Sequence, residues 1–268
     1  MNILVIGDVV GSPGRGILRK ALPVVFREHD IDYCIANVEN AAGGFGVTKE
    51  VCDELLDAGI DCLTSGNHIW DKREIIGVID LIPQLLRPLN YPDRQPGRGS
   101  HVGRAKRSRV PVATLNLSGR VFMNGAIDDP FTLGLAEVER LRKEAPIVIV
   151  DVHGEASSEK AALGHYLDGL VSAVVGTHTH VPTCDHRVLP KGTAYCTDIG
   201  MTGPYDSVIG VEKDTIINRF LSGMPGRFET AKGDPRLAAV VVTVDPESGR
   251  AQGIDRMLLS EDDLRSLA

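Results

Sequence analysis

Aromatic residues make up only 4% of this 268-residue chain, which leaves no evident platform for stacking nucleic-acid bases. Cysteine is also sparse. Cys34, Cys52, Cys62, Cys184 and Cys196 are an odd number with no CxxC pair, which excludes a disulfide scaffold or a thiolate zinc framework and makes a reducing cytoplasm the expected setting. No apolar run approaches the roughly 18 residues that cross a bilayer, and Met1 leads into an apolar strand without a basic leader, so no membrane partner is expected. Basic charge is in deficit: 29 Lys and Arg face 36 Asp and Glu, a net charge of −7. A field of that sign repels polyanions, so coating long nucleic acid by charge alone is excluded. A small phosphorylated substrate requires a metal to reverse the sign locally. The chain lacks GxGxxG, GxxxxGK[ST] and Gly-x-Ser-x-Gly, so dinucleotide, P-loop and esterase-elbow chemistry have no support. What is there is ordinary for a soluble fold, with 43% hydrophobic and 24% charged residues, and is read as one domain over 1–268.

Apolar runs alternate with helical patterns through the first two thirds. Strands are expected at Ile3–Ile6, Tyr33–Val38, Ile60–Thr64, Val110–Leu117, Ile147–Val152 and Val171–Val175. Helices are expected at Ile17–Arg27, Lys49–Ala58, Lys72–Leu81, Leu133–Glu144 and Ser158–Leu167. Gly11–Gly16 reads as a turn, Arg87–Arg109 as irregular chain with one short edge strand, and 119–131 as a long surface loop or cap. The last third is turn-rich, with a helix at Thr215–Ser222 and strands at Leu237–Val244 and Gln252–Leu258 that suggest antiparallel pairing. The fold class is therefore α/β, with two stacked mixed β-sheets flanked by helices.

Side chains able to bind metal fall just after strand ends: Asp8, Glu39-Asn40, Asn67-His68, His153, and His178 with His180. Ligands of parallel α/β sheets bind outside the carboxyl ends of the strands, so these residues are expected to converge. Taken singly, Asp8 could be a turn or cap residue, Gly66-Asn67-His68 a turn, and His153 a core histidine. The pair in Gly176-Thr177-His178-Thr179-His180 is more specific, because residues two apart in extended chain point the same way. His29, His101 and His165 read as surface or packing residues, and His186 stays undecided.

As a series, Asp8, Glu39-Asn40, Gly66-Asn67-His68, His153 and Gly-Thr-His178-Thr-His180 resemble the calcineurin-like metallophosphoesterase superfamily. The opening Asn2–Gly11, the segment Asn37–Gly44 and the segment Gly66–Asp71 look like its YmdB-like branch of bacterial phosphodiesterases. The resemblance extends from the first strand to about Gly210. Two positions depart from the broad superfamily: Val10 stands where its first motif has His, and Val38-Glu39 where its second has Gly-Asp.

The resemblance implies an α/β/β/α metallophosphoesterase sandwich with two metal ions per chain, iron or manganese. One would be held by Asp8, Glu39, Asn40 and His180, the other by Glu39, Asn67, His153 and His178. Oxygen and imidazole donors without thiolate agree with such ions rather than magnesium or calcium. It further implies hydrolysis of cyclic nucleotides, including 2′,3′-cyclic nucleotides, by a metal-bridging hydroxide, with His68 free to protonate the leaving oxygen. An RNA end is a further candidate substrate, and a homo-oligomer is expected. Phe45 could face a base, although packing is the simpler reading. The alternatives are a non-catalytic metal-containing regulator that binds nucleotide or RNA through Arg98–Arg109, or a phosphomonoesterase.

Overall fold

Strand side chains alternate between two faces, and that alternation sets the layering of the computed structural model, which describes residues 1–267. The first half comprises β1 (Asn2–Ile6), β2 (Asp8–Val9), α1 (Gly11–Glu28), β3 (Ile31–Asn37), α2 (Lys49–Asp57) and β4 (Cys62–Thr64). The middle holds β5 (Ser100–Arg104), β6 (Pro111–Ser118), α3 (Pro130–Leu141), β7 (Ile147–His153), α4 (Ser157–Tyr166) and β8 (Ala173–Thr177). The last part adds β9 (Arg187–Val188), β10 (Ala194–Cys196), β11 (Met201–Pro204), α5 (Lys213–Ser222), β12 (Pro235–Val244), β13 (Ala251–Leu259) and α6 (Glu261–Leu267).

One sheet runs β2-β11-β12-β1-β3-β4, with β13 also paired to β12; the other runs β5-β6-β7-β8-β10-β9. Both are mixed. β1, β3 and β4 are parallel neighbours while β12 is antiparallel to β1 and β13, and β6, β7, β8 and β10 are parallel with antiparallel β5 and β9 at the edges. Ile3 and Val5 of β1 meet Ile147 and Ile149 of β7 between the sheets. Leu4 and Ile6 turn outward against Ile17, Leu18 and Leu22 of α1, and Val148 and Val150 turn outward against Val138 and Leu163 of α3 and α4. The expected two-sheet sandwich with outer helices is what forms.

Three local expectations fail. Gly11–Gly16 is not a turn but the start of α1. The first four N–H groups of a helix have no intrahelical acceptor, so Pro13 is tolerated there. Gly14 lets the helix lie against β11, where a Cβ would stand 2.4 Å from the Thr202 carbonyl oxygen. Lys72–Leu81 forms two short 3₁₀ turns, Arg73–Gly77 and Ile79–Leu81, because Gly77 interrupts the run although Ile75 and Ile79 are buried as the spacing suggests. The HxH segment is not extended: His178 and His180 have φ of 98° and 65°. A bend in the left-handed region, rather than the alternation of a strand, aims these rings.

Candidate metal centre

Every expected metal-binding side chain lies at the end of β1, β3, β4, β7 or β8, where the two sheets meet. Gly7 turns the chain out of β1; a Cβ there would lie 1.9 Å from the Gly200 carbonyl oxygen, so only glycine lets Asp8 approach β11. His153 is the last residue of β7, and β8 ends at Thr177, directly before His178.

The side chains meet in one connected cluster. His153 Nε2 lies 3.0 Å from Asn67 Oδ1, 3.1 Å from Glu39 Oε1 and 3.0 Å from His178 Nδ1. One nitrogen carries at most one proton and cannot serve all three neighbours. Donor atoms of Glu39, His153 and His178 all fall within 4.8 Å of one another, the spacing of a candidate cation site. On the other side, Asn40 Nδ2 lies 3.2 Å from His180 Nε2 and 3.3 Å from Glu39 Oε1, and His180 Nε2 stands 4.0 Å from Asp8 Oδ1. Asp8 Oδ1 is buried without a hydrogen-bond partner, while Oδ2 accepts from the His178 backbone N–H at 3.1 Å. A buried carboxylate oxygen without a donor is costly, and a cation on that side would satisfy it.

Electrostatics tell the same story. Burial pushes Asp8 up to about 6 against the pull of His180 and His153. Burial also opposes ionisation of Glu39, but the charge and hydrogen bond of His153, with His68 behind them, hold it down at about 2. Burial works against a charged His153, yet Glu39 and Asp8 raise it to about 9, whereas burial and His153 push His178 down to about 3. Glu39 and His153 thus favour each other's charged forms.

Polar groups behind the cluster fix its geometry. The Thr177 hydroxyl sits 3.0 Å from His153 Nδ1 and donates to Asp151 Oδ1 at 2.8 Å, and Asp151 also contacts Thr64 and Asn37. Lys160, 1% exposed, donates to Asp198 at 2.9 Å, and Asp198 accepts from the N–H and hydroxyl of Thr179, pinning the bend between the two histidines. His68 stands apart. Its backbone N–H donates to Glu39 Oε2 at 2.8 Å, and its Nδ1 pairs with Asp71 Oδ2 at 2.8 Å. Glu155, 3.1 Å from His178 Nε2, is a further neighbour that the motif series does not reveal. Asp71, Asp151, Lys160 and Asp198 were likewise missed; only Asp71, three residues after His68, carries a local signal.

Glu39, Asn40, His178 and His180 of the cluster, with His68, form the floor of a cavity of about 590 Å³. Its wall is built by Phe45 and by 208–230, including Ile209, Ile216, Phe220 and Phe228; none of 119–131, the expected cap, contributes to the lining. That loop instead folds onto α4, with the N–H groups of Arg120 and Val121 on Glu159. His186 lies outside the cavity lining. Within the basic stretch, Arg107 pairs with Asp30 and Asp32, and Lys106 with Asp61.

Residues 4–257 match the family model described as YmdB-like protein. The chain is 46% identical over 262 residues to the 2′,3′-cyclic-nucleotide 2′-phosphodiesterase of Bacillus subtilis (strain 168), covering 98% of each chain. A solved structure of a hypothetical protein from Thermus thermophilus superposes with a TM-score of 0.90 at 42% identity, covering 97% of this chain and all of that one. At 12% identity the 5′-nucleotidase of Candida albicans SC5314 shares the fold alone, with a TM-score of 0.61 over 99% of this chain and 52% of its own. Matched along nearly its whole length by the family model and by a relative well above 30% identity, the chain belongs to the YmdB-like family.

Proposed function

We propose that this chain is a dinuclear metal-dependent phosphodiesterase that opens 2′,3′-cyclic nucleotides. The observation that carries the reading is the acceptor-rich cluster itself: Glu39, Asn67 and His178 crowd His153 Nε2, while Asp8 Oδ1 lacks a donor. Asp8, Glu39, Asn40 and His180 would hold one ion; Glu39, Asn67, His153 and His178 would hold the other. When bound, two divalent cations supply Lewis-acid activation of water and of the phosphoryl oxygens, and with only two carboxylates in the set they leave a net positive site. Iron or manganese suits these oxygen and imidazole donors.

The chain's own residues do the rest. Thr177, backed by Asp151, fixes the His153 ring, and Lys160 with Asp198 fixes the bend that presents His178 and His180. His68, oriented by Asp71, donates a proton from Nε2 to the departing ribose oxygen, a role worth about 10²- to 10⁴-fold in rate. A regulator that binds RNA through Arg98–Arg109 gains no support from the site, since none of that stretch lines the cavity and Arg107 and Lys106 are engaged by acidic partners. Activity toward 2′,3′-cyclic AMP, bis-p-nitrophenyl phosphate and p-nitrophenyl phosphate, measured before and after chelation, tests the reading. Diester turnover lost on chelation and restored by Mn²⁺ is expected. Turnover by metal-free protein, or activity confined to the monoester, would refute it.

A further inference from the structure

The cavity above the cluster is far larger than a phosphate group needs, and its composition changes with height. At the floor lie Glu39, His68, His178 and His180; the wall adds the apolar and aromatic Ile209, Ile216, Phe220 and Phe228, with Arg219 and Glu229 among them. Phe45 touches both levels. Its ring meets His68 edge to face, with centroids 5.0 Å apart, and opposes Phe228 at 6.5 Å with a 33° tilt. The second spacing is at the outer limit of aromatic contact, so the two rings are loosely opposed rather than packed. The Arg219 guanidinium sits 4.9 Å from the Phe228 centroid and steadies that ring by a cation–π contact. The α5 helix that carries Arg219 buries none of its residues, and Phe220 is 84% exposed at the rim. An aromatic wall with so little packing of its own contributes little to the core.

We infer that Phe45 and Phe228 form a nucleobase subsite, in which the base of a cyclic mononucleotide stacks while its phosphate reaches the floor. The inference rests on the phosphodiesterase reading and adds to it the two side chains that would hold the base. The contact between Phe45 and His68 puts the platform one ring away from the proposed proton donor, and so close to the ribose oxygen that departs. Stacking tolerates any base but strengthens with ring area, so purine nucleotides are preferred over pyrimidine ones.

Phe228 is the residue to test, because its aromatic contacts are to Phe45 and Arg219 and not to the cluster. Steady-state kinetics of wild type, Phe228→Ala and Phe228→Trp are compared on 2′,3′-cyclic AMP, 2′,3′-cyclic CMP and base-free glycerol 1,2-cyclic phosphate. Phe228→Ala is expected to lower kcat/KM for cyclic AMP about tenfold more than for the glycerol ester, chiefly through KM, and Phe228→Trp to restore it. Equal losses on the two substrates would overturn the subsite while leaving the phosphodiesterase reading intact. If the wild type hydrolyses neither, the phosphodiesterase reading fails, and calorimetric binding of adenosine 3′-phosphate decides the subsite alone. Binding weakened about tenfold in Phe228→Ala would support it; equal binding, or none by wild type, would overturn it.

Discussion

The Lys160–Asp198 pair offers a quantitative test of how the fold holds the HxH bend. Both side chains are 1% exposed, and the Lys160 ammonium donates to Asp198 Oδ2 at 2.9 Å and to the Thr177 carbonyl at 3.2 Å. Lys160→Met keeps the apolar stem as far as Cε but leaves the Asp198 carboxylate buried without its counter-charge. Breaking such a pair from one side costs about 3–5 kcal/mol. Asp198 keeps three hydrogen bonds, from the Thr179 N–H, the Thr179 hydroxyl and the Gly200 N–H, so the lower end, about 3 kcal/mol, is expected. At roughly 2–4 °C per kcal/mol for a chain of this size, the midpoint of thermal unfolding should fall by about 6–12 °C. Adding Asp198→Asn removes the stranded charge and keeps an acceptor for Thr179 but sets its –NH₂ against the Gly200 N–H, so the double variant should recover part of the loss. Urea denaturation at fixed free Mn²⁺, with metal content measured on the same samples, reads both effects. A loss below about 1 kcal/mol for Lys160→Met, or a double variant less stable than the single one, would refute the reasoning.

Other outcomes follow from single contacts. His68→Ala should keep its metal content by elemental analysis while kcat falls about 10²- to 10⁴-fold; loss of metal would make His68 a ligand instead. Gly66→Ala places a Cβ 2.0 Å from His153 Cδ2 and should cost about 1–3 kcal/mol together with metal affinity, so wild-type stability and loading would show that the ring moves freely. Burial, helped by Arg98, holds His101 below the usual histidine range, so the unfolded chain takes up a proton there before the fold does. Stability from neutral His101 is therefore present above about pH 6.5 and is lost as pH falls toward the folded value. His101→Asn should flatten the fall of the urea midpoint below pH 6.5, and an unchanged slope would contradict this.

The floor of the site was legible because topology does most of the placing. Asp8, Glu39, Asn67, His153 and His178 each follow a recognisable apolar strand, and parallel strands deliver their ends to one edge. Layering was equally legible, since residues such as Ile3, Leu4, Val5 and Ile6 alternate between the two faces. What escaped depends on long-range contacts. The left-handed φ of His178 and His180 leaves no trace in residue type, and the Asp198 that stabilises the bend lies 20 residues from His178. The aromatic wall was illegible for another reason: the helix at Thr215–Ser222 was expected, but nothing local ties it to the site, and Phe45 and Phe228 meet across 183 positions. Gly11–Gly16 misled because glycines that permit close helix–strand packing read locally as a turn.

Anomalous scattering from crystals of protein loaded with Mn²⁺ or Fe²⁺, recorded at the metal edge, tests the dinuclear site most directly. Two peaks are expected in each chain, sharing Glu39, one beside Asp8, Asn40 and His180 and the other beside Asn67, His153 and His178. Active crystals without a peak in that cluster, or with their only metal elsewhere, would contradict it.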